Sequence, residues 1–288
     1  MGRASEASYT GPVSATTSGG GTVSTTLTDA FDGYNSICIS TTGGTGPCVT
    51  GDANYTIYNQ NGPATLDATC GNRQVIFPVQ TVGTLSVQRR VFVPANDEFA
   101  RWVNCVTNNG GAAAGVTLIT SNNLGSDSGT TLVSSSDGDA TAELTDTWVT
   151  TFQSYTGTTS SDPRLGHVLQ GAGAATPLSG ISFANGDDNP FWRYTLSIPA
   201  GATQCVMNFV TGQPSKAEAA AKSAELAGLS ANSTQCMTPT ELAQVTNFSA
   251  VRVNAVEVPT LGTTGVVALV LLLSSFAILA LRRRASRA

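Results

Sequence analysis

The chain has 288 residues, of which 41% are hydrophobic and only 11% carry a charge, and its formal net charge is −5. Four of the fourteen basic residues stand in the last seven positions, so the body before them is still more acidic. Phosphate binding needs clustered Lys and Arg, and the body has no such cluster, so nucleic acid is not expected as a partner. Low charge with abundant Thr, Ser and Gly is typical of a secreted β-rich protein rather than a cytosolic enzyme.

In chain order, a loose segment precedes a large β domain. Residues 1–30 are rich in Ser, Thr and Gly and are expected to be flexible. They contain no apolar signal-peptide core, so we expect the true start of the protein to lie upstream. From residue 31 to residue 213, short β-type runs alternate with turn compositions such as NNGG and ANGDDNP, which predicts an all-β, sandwich-like extracellular domain. The predicted strands are Gln74–Val79, Thr84–Val93, Ala100–Thr107, Gly115–Thr120, Gly129–Ser134, Thr147–Gln153, Ile181–Phe183, Tyr194–Ile198 and Gln204–Val210.

Two of these strands differ in their pattern of apolar residues. From Leu85 to Val93 the odd positions are mostly apolar, with Arg89 the exception, which is typical of a strand with one buried face. From Phe99 to Val106 apolar residues fall on both faces, which predicts a central strand that is covered on both sides.

Residues 214–257 are predicted to form short helices and a linker. Ser215 and Glu218 form a capping box that opens an Ala-rich helix from Lys216 to Leu229, expected to pack flat against the sandwich or to act as a spacer. Thr238 and Glu241, with Pro239 at the first helical position, open a second helix that runs to about Asn247.

The cysteine pattern indicates disulfides. No CxxC pair occurs, which argues against zinc or thioredoxin-type chemistry, and an even count at wide spacing is typical of an oxidising compartment. Six buried free thiols are the alternative. We expect a local Cys38–Cys48 bridge, and Cys105 and Cys205 lie in strands that could join facing sheets. The cysteines are Cys38, Cys48, Cys70, Cys105, Cys205 and Cys236.

The C-terminal residues 258–288 resemble a three-part membrane signal. Residues 265–281 carry no charge and, when extended back to Leu261, are long enough to span a bilayer as a helix. The basic tail 282–288 begins with Arg282, Arg283 and Arg284, which would hold that end in the cytoplasm and leave the body outside the inner membrane. The alternative is a buried core helix with a basic end.

The motif before this span, VPTLGTTG at 258–265, resembles the I-P-T-L-x-x-W-G pattern of the exosortase tail class. Val258 replaces Ile and Thr264 replaces Trp. The resemblance implies export, transient retention in the inner membrane, cleavage by an exosortase-type enzyme and delivery to the cell surface or extracellular matrix. A single-span protein that keeps its tail is the alternative. The motif residues are Val258, Pro259, Thr260, Leu261, Gly262 and Gly265.

The run RRVFVPANDEFARWVNCVTNNG, followed by NLGSDSGTT, resembles β-sandwich modules of bacterial secreted proteins and, distantly, the mutarotase-like class. This resemblance supports only the fold.

Few residues are candidates for chemistry, and we predict no catalytic site, metal or cofactor. His167 is the one histidine, and no nucleophile or HExxH spacing accompanies it. The acidic turns 137–139 and 187–189 are candidates for calcium, although solvated turns explain them as well. The tryptophans Trp102, Trp148 and Trp192 could stack on sugars, but core packing is the more common use of such side chains.

Together these patterns predict an exported bacterial surface protein with a structural or adhesive role, sorted by its tail. Its predicted partners are an exosortase-type enzyme, the membrane and a surface polysaccharide. The alternative is a carbohydrate-binding or carbohydrate-active module, which predicts a tryptophan-lined groove with facing carboxylates.

Overall fold

The computed structural model describes residues 33–49, 51–58, 63–230 and 232–249, together with the backbone of 13–16 and 22–25. Two helices, α1 (Lys216–Ala227) and α2 (Pro239–Gln244), follow the strands. The strands are β1 (Val13–Thr16), β2 (Thr22–Thr25), β3 (Gly33–Ser40), β4 (Thr56–Ile57), β5 (Thr65–Leu66), β6 (Gln74–Ile76), β7 (Gln80–Val82), β8 (Leu85–Phe92), β9 (Ala100–Asn108), β10 (Ala114–Asn123), β11 (Thr130–Ser135), β12 (Trp148–Gln153), β13 (Ser161–Val168), β14 (Leu178–Ala184), β15 (Asp187–Ile198) and β16 (Thr203–Gly212).

These strands form two large antiparallel sheets and one small hairpin. The first sheet has five strands in the order β14-β15-β10-β3-β4, and β1 pairs with β2 alone. The second has nine strands, in the order β11-β12-β13-β16-β9-β8-β6-β5, with β7 paired to β8. Strand β9 lies inside the nine-stranded sheet, between β16 and β8, as its apolar pattern predicts. The prediction of an all-β protein with two sheets is therefore confirmed.

The main core lies between the two sheets. Trp102 of β9 and Trp192 of β15 are buried there, and Tyr34 of β3 packs against both rings. Arg89 also points into this layer and is fully buried. Although polar, it therefore follows the same inward alternation as the apolar odd-numbered residues of β8. Its guanidinium donates to Asn104 Oδ1 at 2.8 Å and Asn35 Oδ1 at 2.9 Å, which satisfies part of the polar requirement of a buried cation.

A second apolar cluster lies on the outer face of the nine-stranded sheet, beneath α1 and the segment 232–249. Leu226 of α1 packs in this cluster together with Phe99 and Phe209. The helix approaches the sheet closely at Gly166, where an added Cβ would lie 2.1 Å from Ser223 Oγ. Helix α1 therefore packs on the sheet, the first of the two arrangements expected for it.

The second helix is shorter than predicted. Its capping box is present, with Thr238 and Glu241 bonded reciprocally and Pro239 in the first turn. It ends at Gln244 instead of Asn247 because Val245 adopts an extended conformation and forms a β-bridge to Cys205 of β16.

The sequence prediction lacks seven of the described strands and the first residues of β14 and β15; the seven are β1, β2, β3, β4, β5, β7 and β13. The longest of the seven are β3 and β13. Strand β3 contains Asn35 at φ +60°, and β13 contains both a proline and a glycine, so both segments have turn-like compositions. The predicted acidic loop at 187–189 is instead the start of β15, paired with β14 through Asp187 and Ala184. The turn itself lies at Asn185–Gly186.

The predicted membrane segment 265–281 and the sorting motif 258–265 lie outside the described residues. Within the described part of the chain, no helix is both long enough and apolar enough to cross a bilayer.

Candidate functional site

A groove of about 230 Å³ lies on the outer face of the nine-stranded sheet. Its other wall is the segment 232–249, here named the C-terminal strap, which includes α2. The strap contributes Cys236, Met237, Glu241 and Gln244. The sheet and the turn before β7 contribute both polar and apolar residues: Gln74, Val79, Ser86, Gln88, Arg90, Val103, Cys105, Thr107 and Thr203.

Strand alternation explains why polar side chains line this groove. Along β8, Leu85 and Val87 point into the core, so Ser86, Gln88 and Arg90 point outward. Their neighbours on β9 and β16 continue the same face, and Thr107 Oγ1 lies 2.7 Å from Thr203 Oγ1. The sheet side of the groove therefore offers amide and hydroxyl groups that can both donate and accept hydrogen bonds.

The strap is held to the sheet by a buried arginine. Arg101 of β9 donates to the carbonyls of Ser233 at 2.7 Å and Gln235 at 2.8 Å, and to Gln74 Oε1 at 3.2 Å. Its guanidinium also lies over the ring of Phe92, 4.6 Å from the centroid. Burial, with a smaller contribution from nearby Arg90, lowers the pKa of Arg101 to about 9, so it remains a cation at neutral pH.

An ion pair crosses the groove from sheet to strap. Arg90 of β8 contacts Glu241 Oε1 of α2, and the two side chains are 30% and 21% exposed. The other carboxylate oxygen, Oε2, accepts from the backbone nitrogen of Thr238 at 2.8 Å and from its hydroxyl at 2.9 Å. Glu241 thus both caps α2 and attaches it to the sheet.

All six cysteines form disulfides, and two of the bridges border the groove. Cys38–Cys48 forms as predicted, and Cys70–Cys236 ties the strap to the sheet, with Cys236 lining the groove. Cys105 and Cys205 are bonded to each other, but the expectation that they join facing sheets is wrong. They lie directly opposite each other on the adjacent strands β9 and β16 of one sheet, because both side chains point to its outer face.

His167 lies in β13 and is fully buried between the sheets. Its Nδ1 is 2.8 Å from the Tyr34 hydroxyl and its Nε2 is 2.7 Å from Thr151 Oγ1. Burial lowers the pKa of His167 to about 3, so the ring is neutral at physiological pH. With both nitrogens bonded and no exposed surface, this histidine joins the two sheets and meets no substrate.

The three tryptophans pack in the apolar clusters and do not form a sugar-stacking surface. Trp102 and Trp192 are 1% and 0% exposed in the main core, and Trp148 is 9% exposed in the outer cluster. The tryptophan-lined groove expected of a carbohydrate-active module is therefore not formed by these residues. Among the described residues that line the groove, Glu241 is the one carboxylate, so it offers no facing pair of acids.

The acidic turn at 137–139 folds its oxygens onto its own loop. Asp139 Oδ1 accepts from the Ser135 hydroxyl at 2.9 Å and from Thr141 N at 2.7 Å, and these bonds, with the Thr141 hydroxyl leading, lower the pKa of Asp139. Among the described residues, no group of three or more His, Cys, Asp or Glu side chains is placed to hold a metal ion. The solvated-turn alternative fits this loop better than a calcium site.

The groove itself was not anticipated from the sequence. The signal that could have found it is the polar alternation Ser86, Gln88 and Arg90 along β8, combined with the capping box of α2. The missing information was which residues the strap would bring to the opposite wall.

Comparison with known proteins gives distant likenesses to solved structures. No family model matches the chain, and no curated protein matches it. Similar solved structures include a polysaccharide lyase (11% identity, TM-score 0.40, 67% of this chain and 28% of that one) and a kojibiose phosphorylase from the human microbiome (12%, 0.39, 80% and 29%). A protein of Synechocystis sp. PCC 6803 is also similar (11%, 0.33, 62% and 78%). The chain thus spans less than a third of both enzymes, and its function must be argued from its own residues.

Proposed function

We propose that this chain is an exported bacterial surface protein that binds polysaccharide in the groove and is sorted to the surface by its C-terminal signal. Its role is adhesive or structural, without catalysis. The groove carries the binding part of this proposal, since it is a recess lined by both polar and apolar side chains on a sheet face beside two disulfides.

The groove combines hydrogen-bonding side chains with the apolar side chains of Val79, Val103 and Met237, and a sugar polymer presents both hydroxyl groups and apolar ring faces. Gln88 and Gln244 offer amide groups, and Ser86 and Thr203 offer hydroxyls, all suited to the many donors and acceptors of a saccharide. Gln74 is buried, and its amide is bonded to Arg101 and Asp67. A hydrolytic site would need an acid and a base on opposite sides of the bond, and the described lining has a single carboxylate. Binding is therefore the simpler function for this set of side chains.

The three disulfides support an extracellular location. Disulfides persist in oxidising compartments and are reduced in the cytosol, and here they cross-link residues up to 166 positions apart. On this proposal the motif 258–265 is read by an exosortase-type processing enzyme, the segment 265–281 spans the inner membrane, and the arginines at 282–284 stay cytoplasmic.

Intact-mass measurement on protein recovered separately from membrane, surface and medium tests the sorting. Surface material should end near residues 260–262. If every molecule keeps its arginine tail and stays in the inner membrane, the sorting proposal is wrong.

Affinity electrophoresis of the full chain in gels containing neutral and acidic polysaccharides tests the binding. Retardation by at least one polymer is expected, and Gln88→Ala should reduce it. Gln153→Ala, a change of the same kind outside the groove, should not. Equal mobility in every gel would leave the groove without a ligand and would overturn the binding function.

A further inference from the structure

The groove has one charged contact on each wall. Among the described lining residues, Arg90 is the only cation and Glu241 the only anion, and they bond to each other. Both are partly exposed, so a ligand in the groove can reach either partner. A partly exposed ion pair contributes little net stability, so replacing one partner by a ligand group costs little free energy.

The Glu241 side of the pair rests on a weakly packed element. Helix α2 has no buried residue, and its carboxylate has a second role, capping its own helix through Oε2. The ends of the strap are fixed independently, by the Cys70–Cys236 disulfide and by hydrogen bonds of Thr246 and Asn247. Glu241 can therefore leave Arg90 without detaching the strap.

The Arg90 side lies in a locally positive environment. Arg101 is close enough for its pKa to be lowered by the charge of Arg90, and the three hydrogen-bond partners described for it above are uncharged carbonyl and amide oxygens. Arg90 and Arg101 lie on the same face of the adjacent strands β8 and β9, with Arg90 opposite Val103 and Arg101 opposite Phe92. Arg101 is buried beneath the strap, so Arg90 is the guanidinium that lines the groove. A guanidinium matches a carboxylate with two parallel hydrogen bonds, which favours a carboxylate over a hydroxyl as its replacement partner.

We propose that the groove recognises an acidic polysaccharide, and that a uronate carboxylate takes the place of Glu241 on Arg90. This deepens the proposed function and rests on it. Glu241 then acts as an internal competitor that keeps the Arg90 side chain in position while the groove is empty. The acidic body repels a polyanion at long range, but salt screens that repulsion beyond about 8 Å at physiological ionic strength, whereas the contact at Arg90 is direct.

Opposite effects from the two halves of one ion pair test this proposal. The full chain is titrated with polygalacturonate and with its methyl-esterified, uncharged form at fixed salt. Glu241→Gln removes the competing charge but preserves the cap, since Gln also serves in a capping box, so binding to polygalacturonate should tighten by up to about fivefold. Arg90→Gln should weaken it by roughly tenfold to a hundredfold, the value of a hydrogen bond to a charged group.

Matched controls change the charge by the same amount elsewhere. Arg164 and Glu225 form ion pairs outside the groove, so Arg164→Gln and Glu225→Gln should leave affinity within about twofold, as expected for distant exposed charges. Urea unfolding verifies that each variant is folded. The esterified polymer should bind wild type more weakly and should not distinguish the Arg90 and Glu241 variants.

Three outcomes overturn the proposal. If Glu241→Gln binds polygalacturonate as tightly as wild type or more weakly, the ligand does not replace Glu241 on Arg90. If Arg90→Gln binds as tightly as wild type, Arg90 does not recognise the uronate carboxylate. Equal or tighter binding of the esterified polymer overturns the acidic specificity but leaves polysaccharide binding standing. If no polysaccharide binds at all, the proposed function falls together with this inference.

Discussion

Protonation of one buried imidazole should set the acid sensitivity of the fold. The chain contains a single histidine, and burial lowers the pKa of His167 from 6.5 to about 3. Below pH 6.5 the histidine is protonated in the unfolded state but stays neutral in the folded state. The free energy of unfolding therefore falls as the pH falls from 6.5 towards 3. Between pH 7 and pH 4.5 the unfolding free energy should decrease by roughly 2 to 3 kcal/mol from this group alone.

The comparison with His167→Gln isolates that contribution. Glutamine can bond to Tyr34 and Thr151 but does not titrate, so the variant should lack the slope. Urea unfolding followed by tryptophan fluorescence at pH 7, 6, 5 and 4.5 provides the free energies. Carboxylates that titrate at the acid end are shared by both proteins and cancel in the difference. Parallel pH curves for wild type and variant would refute the assignment of the slope to His167.

Three further predictions follow from the cross-links, the strap and the acidic loops. With Cys105–Cys205 intact, the Cys70–Cys236 bridge closes a loop of about 66 residues, so its removal should lower the unfolding free energy by about 4 kcal/mol. Removal of Cys38–Cys48, which closes a shorter loop, should lower it by about 3 kcal/mol. Urea midpoints that rank the two removals in the opposite order would contradict the loop argument. Asn247→Ala removes the side-chain partner of the buried Met207 N–H and carbonyl and should cost about 3 kcal/mol in the same assay. The Leu169 carbonyl loses one bond but keeps those from Tyr194 and Asn208, and the exposed control Asn54→Ala should be close to neutral. Neither calcium nor a chelator should change the thermal midpoint, because the loop at 137–139 satisfies its own carboxylates; a rise with calcium would indicate a site.

The strands that the sequence predicts are those whose pattern is unambiguous. Strand β9 is apolar on both faces and lies inside the sheet, and β8 alternates as its side chains do. Strand β15 was only half recognised, although Trp192, Tyr194, Leu196 and Ile198 alternate with polar residues, because the DDNP composition of its first half is typical of a turn. In this segment composition predicts a turn and periodicity predicts a strand, and the strand forms.

The candidate site depended on contacts that no local pattern contains. The capping box predicted that Glu241 would begin a helix, and it does. That its second oxygen would meet Arg90 depends on the Cys70–Cys236 bridge and on Arg101 holding the strap across the sheet. These are tertiary constraints between residues more than a hundred positions apart, and a single sequence does not specify them.

The way in which the strap is fastened has a mechanical consequence. Tension applied to the chain after residue 249 first meets the hydrogen bonds of Thr246, Asn247 and Ser249, and then the lightly packed α2. Extension stops at Cys236, where the disulfide transfers force directly to the sandwich. The chain between Cys236 and residue 249 can extend to about 45 Å before that point, at about 3.4 Å per residue. The released stretch carries Glu241, so a load at the C-terminus would dismantle the groove wall while the sandwich stays folded.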